Sequence, residues 1–388
     1  MSRVLITGAR APIALDLARS FEAAGCEPHL ADSVTPLSVL ASGRGARFHR
    51  LAAPRRDFAA FAADVERLVE RLDPRLILPT SEEVFYLAEA ARLGGFAERL
   101  FAPPMTLLRR LHSKAEFPGL VAEAGLASPA TRRIVEPSEL PADGAGLVLK
   151  PEFSRFAERV LVEPGRAALS RLRPSPDAPW VAQARVEGEE LCLWSAAIGG
   201  RLAAVAAYRP LWRLPGSASF CFEAVEAADL TEFAARMAAQ TGVTGQLSYD
   251  LIRTAEGRLL PIECNPRGIS AIHLFGGDAA LAEALLGKTS AQVRPRVEIA
   301  CLGPAMALFG PAQARREGRR DAFRHDRGRA REALSADGRE PLVPAAALAD
   351  YGRFALAGAL AGRRATAQGT WDIEWNGESF IERLAPKL

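Results

Sequence analysis

The sequence is poor in lysine and has no closely spaced cysteines. Of its 49 basic residues only four are lysine, namely Lys114, Lys150, Lys288 and Lys387. Arginine is the default cation of this chain, so a lysine in an apolar segment indicates that a compact ammonium group is required there. The five cysteines are scattered and form no Cys-x-x-Cys pair, so the sequence supports neither a disulfide framework nor a zinc knuckle.

Long apolar runs and a strong net charge are also missing. No uncharged apolar run reaches the roughly 18 residues that a membrane span needs, and the N-terminus lacks the pattern of a secretory signal. A net charge of +3 gives no reason to expect a nucleic-acid partner. We therefore expect a cytoplasmic globular protein of two or three domains that binds neither nucleic acid nor a membrane.

The first 102 residues alternate between strand and helix patterns. Strands are predicted at 3–7, 29–31 and 76–79, and helices at 12–24 and 57–72. This alternation is typical of an α/β domain with a parallel sheet covered by helices. Pro103 and Pro104 mark its end.

The N-terminal strand and helix lack the spaced glycines of a dinucleotide-binding turn. Gly8 is followed by Ala, Arg, Ala and Pro rather than by a Gly-x-Gly-x-x-Gly run, so backbone could not approach a pyrophosphate in the usual way. Asp32 ends the second strand, where a ribose-binding acid would lie. An NAD(P)-dependent reductase is therefore a weaker hypothesis, and a generic strand–helix unit is the preferred interpretation.

Residues 103–300 predict a second domain and residues 301–388 a small C-terminal extension. A helical region at 106–124 contains Ser113 and Glu116 as a capping box, although Pro118 fits poorly within such a helix. Strands are predicted at 131–135, 147–150, 160–162, 180–186, 191–198 and 202–207, and a helix at 230–241. In the extension, eight arginines between 315 and 331 predict a solvated helix, and Asn376-Gly377 predicts the turn of a small hairpin.

The strongest chemical pattern is a predicted hairpin at residues 245–268. Side chains alternate between the faces of a strand, and the turn at 254–258 brings Asp250 near Glu263, with Asn265 on the same face. Adjacent carboxylates repel unless a cation or proton lies between them, and Mg²⁺ prefers a few such oxygens together with water and phosphate. The pattern predicts a magnesium site, with Arg267 next to it as a phosphate contact; a polar hairpin facing solvent is the alternative.

This hairpin resembles the magnesium site of the ATP-grasp superfamily, in which an acid on one strand is followed, after a turn, by Glu-x-Asn on the next. The form Glu-Cys-Asn-Pro-Arg is most similar to the carbamoyl-phosphate synthetase and amino-acid ligase branch. The resemblance spans about residues 1–300. It implies a Rossmann-like N-terminal domain (the pre-ATP-grasp domain) and a two-lobed α+β ATP-grasp domain, with Asp250, Glu263 and Asn265 as ligands of two Mg²⁺ ions.

The same resemblance assigns nucleotide contacts upstream of the hairpin. Lys114 and Lys150, the latter in the pattern Leu-Val-Leu-Lys-Pro, are the expected phosphate lysines of an ATP site. Gln183 and the backbone of Val186 would face the adenine edge, and Glu190 would accept hydrogen bonds from the ribose. Ordinary surface roles are the alternative for Lys114 and Glu190.

The loop after Lys150 departs from the family. Many ATP-grasp enzymes carry there a loop rich in glycine and serine, whose backbone amides cover the phosphates. This chain has Pro-Glu-Phe-Ser-Arg-Phe-Ala-Glu-Arg-Val, without glycine. Side chains of Ser154, Arg155 and Arg159 are expected to replace those amides, unless the loop is specialised or turnover is impaired.

The resemblance implies an ATP-dependent carboxylate–amine ligase. A substrate carboxylate would attack the γ-phosphate with help from Lys150 and Arg267, and an amine would then attack the acyl phosphate. Arg209 and Arg213 are candidates for holding the substrate carboxylate. The partners would be a small-molecule acid and amine, and a homodimer is compatible with the sequence. A nucleotide-binding regulatory protein with impaired turnover is the second hypothesis.

Overall fold

The computed structural model describes residues 1–154, 159–213, 219–378 and 380 of the chain. The strands within those ranges form three sheets. The first is the predicted parallel sheet, in the order β3-β2-β1-β4. Its elements are β1 (Arg3–Thr7), α1 (Ile13–Ala23), β2 (Glu27–Asp32), α2 (Leu37–Ala41), β3 (Phe48–Arg50), α3 (Phe58–Leu72), β4 (Leu76–Leu78) and α4 (Glu83–Leu93).

Two helices and a small antiparallel sheet follow. Ser113 separates the helices, and its hydroxyl accepts a hydrogen bond from the backbone N–H of Glu116 at 3.1 Å. The second helix begins at Phe117, so Pro118 lies in a first turn, where its missing N–H is tolerated. The sheet has the order β5-β8-β6-β7. These elements are α5 (Met105–His112), α6 (Phe117–Glu123), β5 (Thr131–Ile134), β6 (Leu147–Pro151), β7 (Leu161–Val162), α7 (Arg166–Leu169) and β8 (Trp180–Ala184).

A seven-stranded sheet forms the centre of the molecule, in the order β13-β12-β9-β10-β11-β14-β15. One face packs on α8 through Phe233, Met237 and Tyr249. The other face packs against α1 of the N-terminal domain, with Trp194 in that core. The elements are β9 (Glu189–Ile198), β10 (Arg201–Arg213), β11 (Ser219–Ala224), α8 (Ala228–Thr241), β12 (Gly245–Arg253), β13 (Leu259–Asn265), α9 (Ala279–Leu285), β14 (Ile299–Cys301) and β15 (Arg331–Glu332).

The C-terminal extension continues this sheet and adds helices to it. The predicted boundary at residue 300 falls inside β14, and β15 extends the sheet beyond it. The arginine-rich segment is largely exposed, as predicted. In the described part of the chain no helix is long and apolar enough to cross a bilayer. The helices are α10 (Gly303–Arg316), α11 (Arg320–Arg329), α12 (Val343–Leu360) and α13 (Ala365–Gln368).

The predicted C-terminal hairpin at Asn376-Gly377 is wrong. Residues 370–378 form turns and bends that pair with no strand of the described chain. Burial overrides the local turn signal, because Trp375 is only 2% exposed and stacks on Phe85 at 4.7 Å between ring centroids. Its indole N–H donates to the Glu378 carbonyl at 2.9 Å, so the buried polar atom is satisfied within the segment.

Ion pairs fasten this C-terminal segment to the first domain. The Arg10 guanidinium donates to Asp372 at 2.6 Å and to Asp32 at 2.5 Å, and all three side chains are largely buried. Ser33 also donates to Asp372, at 2.6 Å. The segment is therefore part of the folded body rather than a loose tail.

Truncating Trp375 should destabilise the protein far more than truncating its neighbour Trp371. Trp375→Ala removes a buried indole, which typically costs about 3–5 kcal/mol of unfolding free energy. Trp371 instead lies under the guanidinium groups of Arg55, Arg56 and Arg363, and Trp371→Ala should cost roughly 1 kcal/mol. Urea denaturation of both variants measures the difference, and equal losses would contradict the packing described.

His112 should make the protein sensitive to acid. Burial, and then the charge of Lys114, lower the pKa of His112 to about 3. Its Nδ1 is buried without a hydrogen-bond partner among the described residues. The unfolded chain takes up this proton near pH 6.5, so between pH 6.5 and about 3 the unfolded state binds more protons and stability falls as pH falls.

His112→Phe should remove that contribution while keeping the aromatic contacts with Phe85 and Phe153. The unfolding free energy of the variant should fall less steeply below pH 6.5, by up to about 1.4 kcal/mol per pH unit. Urea titrations at several pH values measure this slope, with His325→Phe on the exposed side of α11 as the control. An unchanged slope in His112→Phe would contradict the neutral buried state.

Candidate active site

Two carboxylates face each other across the hairpin of β12 and β13. Asp250 is paired with Glu263 in the antiparallel register, and Ser248 is paired with Asn265. The proximity predicted from the turn is therefore confirmed. A bulge follows immediately, since Leu251 pairs with Pro261, and Ile262 is the extra residue.

The carboxyl pair has unequal proton affinities. Burial and the adjacent Glu263 raise the pKa of Asp250 above its usual range. Burial also opposes ionisation of Glu263, but the ammonium groups of Lys114 and Lys150 hold the pKa of that carboxyl below its usual range. Glu263 is therefore stabilised as an anion, while the neighbouring Asp250 holds its proton more tightly than an ordinary carboxyl.

Lys114 and Lys150 reach this pair from different elements. Lys114 follows α5, and its Nζ lies 3.6 Å from Glu263 Oε2 and 2.9 Å from the carbonyl of Ser154. Lys150 ends the run Leu-Val-Leu-Lys in β6, and its Nζ donates to the Ile262 carbonyl at 3.1 Å. Both side chains are almost fully buried. Burial lowers the pKa of Lys150 to about 8, against the raising effect of Glu263.

The bulge at Ile262 joins the two antiparallel sheets. Its carbonyl accepts from Lys150 and also from Gln183 Nε2 at 3.3 Å. Gln183 lies on β8 and donates to Thr131 Oγ1 on β5 at 3.1 Å. Val186 lies in the irregular segment between β8 and β9, where backbone groups are not committed to a strand ladder. Their contacts with adenine stay a prediction.

Glu190 and Arg213 pair with each other at the end of the sheet. Glu190 is exposed on β9, and its Oε2 lies 2.6 Å from Arg213 Nη1. Cys192, two residues along on the same face, opposes Asp250 and is influenced by the charge of Arg213. The pair therefore borders the face that carries the carboxylates.

Arg209 lies on the other side of the sheet. Its guanidinium is 3.0 Å from Glu189 Oε1 and 3.2 Å from Glu223 Oε2. The preceding residue, Tyr208, is on the Asp250 side, and successive side chains point to opposite faces. Arg209, which the sequence analysis named with Arg213 as a candidate for the substrate carboxylate, is thus separated by the sheet from Asp250 and Glu263.

Arg267 connects the hairpin with the N-terminal domain. Its Nη2 lies 3.5 Å from Asn265 Oδ1 and 3.8 Å from Oε1 of Glu82. Asn265 in turn donates to Glu263 Oε1 at 3.1 Å. Glu82 is fully buried in the turn before α4, and sequence reasoning missed it because only the tertiary fold brings it to this cleft.

Glu152 is a second residue that the sequence did not indicate. It is 1% exposed and accepts hydrogen bonds from Ser113 Oγ at 2.5 Å and from Arg133 Nε at 2.6 Å. Ser113 adjoins Lys114, and Glu152 follows Lys150 by two residues. The Glu152 carboxylate therefore holds together the two segments that carry Lys114 and Lys150. In the sequence, the only indication of this role is that Glu152 directly follows the Lys150-Pro151 pair.

Ser154 and Arg159, two of the three residues expected to contact phosphate, lie on either side of residues 155–158. Ser154 Oγ donates to the Pro151 carbonyl at 3.3 Å, and the Arg159 guanidinium stacks over Trp180 at 5.0 Å. Arg155, also expected to contact phosphate, lies outside the described residues.

The donor set fits magnesium. Asp250, Glu263 and the Asn265 amide supply two anionic oxygens and one neutral oxygen, leaving positions for water and phosphate. Among the described residues, no group of three or more His, Cys, Asp and Glu side chains is placed to hold a metal ion. Their role as ligands stays a prediction.

The chain resembles several solved structures over most of its length. The chain superposes on the L-amino acid ligase from Bacillus licheniformis with a TM-score of 0.55 and 16% identity, covering 77% of this chain and 78% of that one. For the phosphoribosylamine–glycine ligase from Thermotoga maritima the values are 0.58, 17%, 77% and 79%. The N5-carboxyaminoimidazole synthase from Aspergillus clavatus, solved with ADP and 5-aminoimidazole ribonucleotide, superposes with a TM-score of 0.59 and 15% identity, covering 77% of this chain and 81% of that one.

Sequence comparison alone finds no relative: neither a protein-family profile nor a curated protein matches the chain. At these identities the structural likeness shows the fold alone. The chain has the fold of the ATP-grasp superfamily.

Proposed function

We propose that this protein is an ATP-dependent carboxylate–amine ligase that works through an acyl phosphate. The observation that supports the proposal most strongly is the convergence of Asp250, Glu263, Lys114 and Lys150 at one bulged hairpin. Two buried ammonium groups beside two carboxylates form a site for a metal-bound polyphosphate. The phosphate oxygens would pair with the ammonium groups, and the metal ion would pair with the carboxylates.

Nucleotide binding would exchange protein contacts for phosphate contacts. Lys150 gives up the Ile262 carbonyl and Lys114 the Ser154 carbonyl, so that each donates to a phosphate oxygen. Mg²⁺ held by Asp250, Glu263 and Asn265 would neutralise charge on the phosphates. Gln183 and the backbone of Val186 bind the adenine edge, and Glu190 binds the ribose when it leaves Arg213.

The chain's own groups would then orient a carboxylate against the γ-phosphate. Arg267 is positioned to bind the transferred phosphoryl group, since its guanidinium is held at the Asn265 end of the hairpin. Lys150 offsets charge that develops on the phosphate oxygens. Arg213 is the better candidate for the substrate carboxylate, because it borders the Asp250 face and Arg209 does not. An amine then attacks the acyl carbon and displaces phosphate, which gives the amide.

A nucleotide-binding protein with impaired turnover is the second candidate, and the glycine-free loop after Lys150 favours it. The reductase hypothesis has little support. Asp32 is engaged by the Arg10 guanidinium, and a Cβ on Gly8 would lie within 3 Å of Thr80 and Glu83 side chains. These groups fill the turn that a pyrophosphate would need to approach.

Glu263→Gln should abolish turnover without unfolding the chain. It removes the carboxylate that both lysines face, and we expect ADP release to fall roughly 100-fold or more. The assay screens pairs of L-amino acids and other acid–amine pairs with Mg-ATP, scoring ADP and amide together. Glu256→Gln, in the exposed turn of the same hairpin, is the control. Undiminished turnover in Glu263→Gln would remove the site assignment.

If the parent binds Mg-ADP but releases no ADP with any pair, the regulatory alternative is favoured. Calorimetric titration with Mg-ADP measures the binding that both candidates require, and ADP release separates them, since only the ligase turns over. Absence of nucleotide binding would contradict both.

Asp250→Asn should raise the stability of the free protein and weaken its response to metal. The raised pKa of Asp250 means that stability is lost as pH rises through that pKa. The amide removes this loss, so the variant should melt higher than the parent at pH 8, and Mg²⁺ with ADP should stabilise it less. Thermal melts with and without ligand measure both effects, with Asp177→Asn on an exposed turn as the control. An equal ligand response would contradict metal binding at Asp250.

A further inference from the structure

Helix α12 presents an apolar face to solvent. Among its 18 residues only Val343 and Gly358 are buried. Leu348 is 44% exposed, Leu356 is 66% exposed and Leu360 is 84% exposed. The exposed uncharged residues that share about 120° of the helix surface form what we term the α12 face: Ala345, Leu348, Ala349, Gly352, Leu356, Ala359 and Leu360.

The orientation of α12 is fixed by contacts on its other side. Asp350 accepts hydrogen bonds from the backbone N–H groups of Leu37 and Ser38 in α2, both at 3.0 Å. The Tyr351 ring packs edge-on against Phe309 of α10 at 5.9 Å. Rotation of the helix to bury its leucines would break these contacts, so the α12 face is held outward by the fold.

The sequence of α12 is partly symmetric about Gly352. Residues 345–359 are AAALADYGRFALAGA, with Gly352 at the centre. Positions equally distant from Gly352 carry like residues: Ala345 and Ala359, and Leu348 and Leu356. A two-fold axis through Gly352 would set two antiparallel copies of α12 together with leucine against leucine and alanine against alanine, which is the self-complementarity that an isologous interface needs.

The centre of the face permits close approach of two helices. Nothing lies within 4 Å of the position that a Cβ on Gly352 would occupy, so a partner backbone meets no side chain there. The face alone, on a helix about 27 Å long, is smaller than the roughly 800 Å² per partner of a standard interface. Leu342, just before α12 and 68% exposed, adds apolar area at one end of the helix.

We propose that the chain forms a two-fold symmetric dimer through antiparallel packing of α12 against α12 of a second copy. Leu348 then packs against Leu356 of the partner subunit, and the two Gly352 residues meet at the axis. Arg353, which bonds to Asp350 and to the Thr35 carbonyl, lies at the border of the face and stays hydrated. The inference is independent of the proposed activity, because its tests measure mass and distance.

Sedimentation equilibrium of the full chain should show a reversible dimer. Leu348→Glu and Leu356→Glu each place two charges at one interface and should shift the dissociation constant at least 100-fold toward monomer. Leu93→Glu, on an exposed leucine near the end of α4, adds the same charge elsewhere and should leave the dimer intact. A parent that is monomeric throughout, or variants that dimerise like the parent, would overturn the proposal.

Cysteine cross-linking tests the direction of packing and does not depend on destabilising the dimer. Gly352→Cys should form an intermolecular disulfide on treatment with oxidised glutathione, with two molecules of reduced glutathione released per disulfide. Ala345→Cys alone should not, because antiparallel packing separates its two copies by about 21 Å. A mixture of Ala345→Cys with Ala359→Cys should cross-link, and the parent with its five cysteines gives the background.

Two further results would count against the dimer. Self-cross-linking of Ala345→Cys would indicate parallel packing and overturn the antiparallel arrangement. Flotation of a monomeric parent with vesicles of phosphatidylcholine and phosphatidylglycerol, lost in Leu356→Glu, would show that the α12 face binds a lipid surface instead.

Discussion

The repulsion between Asp250 and Glu263 is the constraint on which the cleft depends. Two acids at paired positions of a largely buried hairpin are unfavourable unless cations surround them, and this fold brings cations from separate elements. Lys114 comes from the junction of α5 and α6, and Lys150 from the end of β6. The small sheet and the helices before it are thus held against the seven-stranded sheet partly by the contacts of Lys114 with Glu263 and of Lys150 with the Ile262 carbonyl.

Two backbone features make that arrangement specific. The bulge on β13 turns the Ile262 carbonyl toward Lys150 and Gln183, so the two antiparallel sheets share one acceptor. Glu152 performs a similar role at the lysines, since its carboxylate joins Ser113 and Arg133. The positions of both ammonium groups therefore follow from buried hydrogen bonds, whose loss would leave polar groups unsatisfied.

Local sequence patterns were sufficient to predict the hairpin of β12 and β13 and the strands and helices of the N-terminal domain. The alternation in 245–253 and 259–265, with a turn between them, predicted the hairpin and the Asp250–Glu263 proximity, and the N-terminal strands and helices followed from periodicity in the same way. Glu82 and Glu152 were not predicted, because their importance arises only when distant segments meet. The Asn-Gly turn at 376 misled for the same reason: burial of Trp375 against Phe85 outweighs a turn preference that operates over four residues.

The start of the glycine-free segment after Lys150 packs against the C-terminal segment. A glycine-rich loop can place backbone amides freely, whereas a loop without glycine is positioned by its side chains. Here Glu152 is held by Ser113, and the Phe153 ring packs on Trp375 at 5.2 Å. Gly377 fits closely against that ring, since a Cβ there would lie 2.8 Å from it. The C-terminal segment thus packs against the start of this loop through Trp375, and a larger side chain at position 377 would collide with the Phe153 ring.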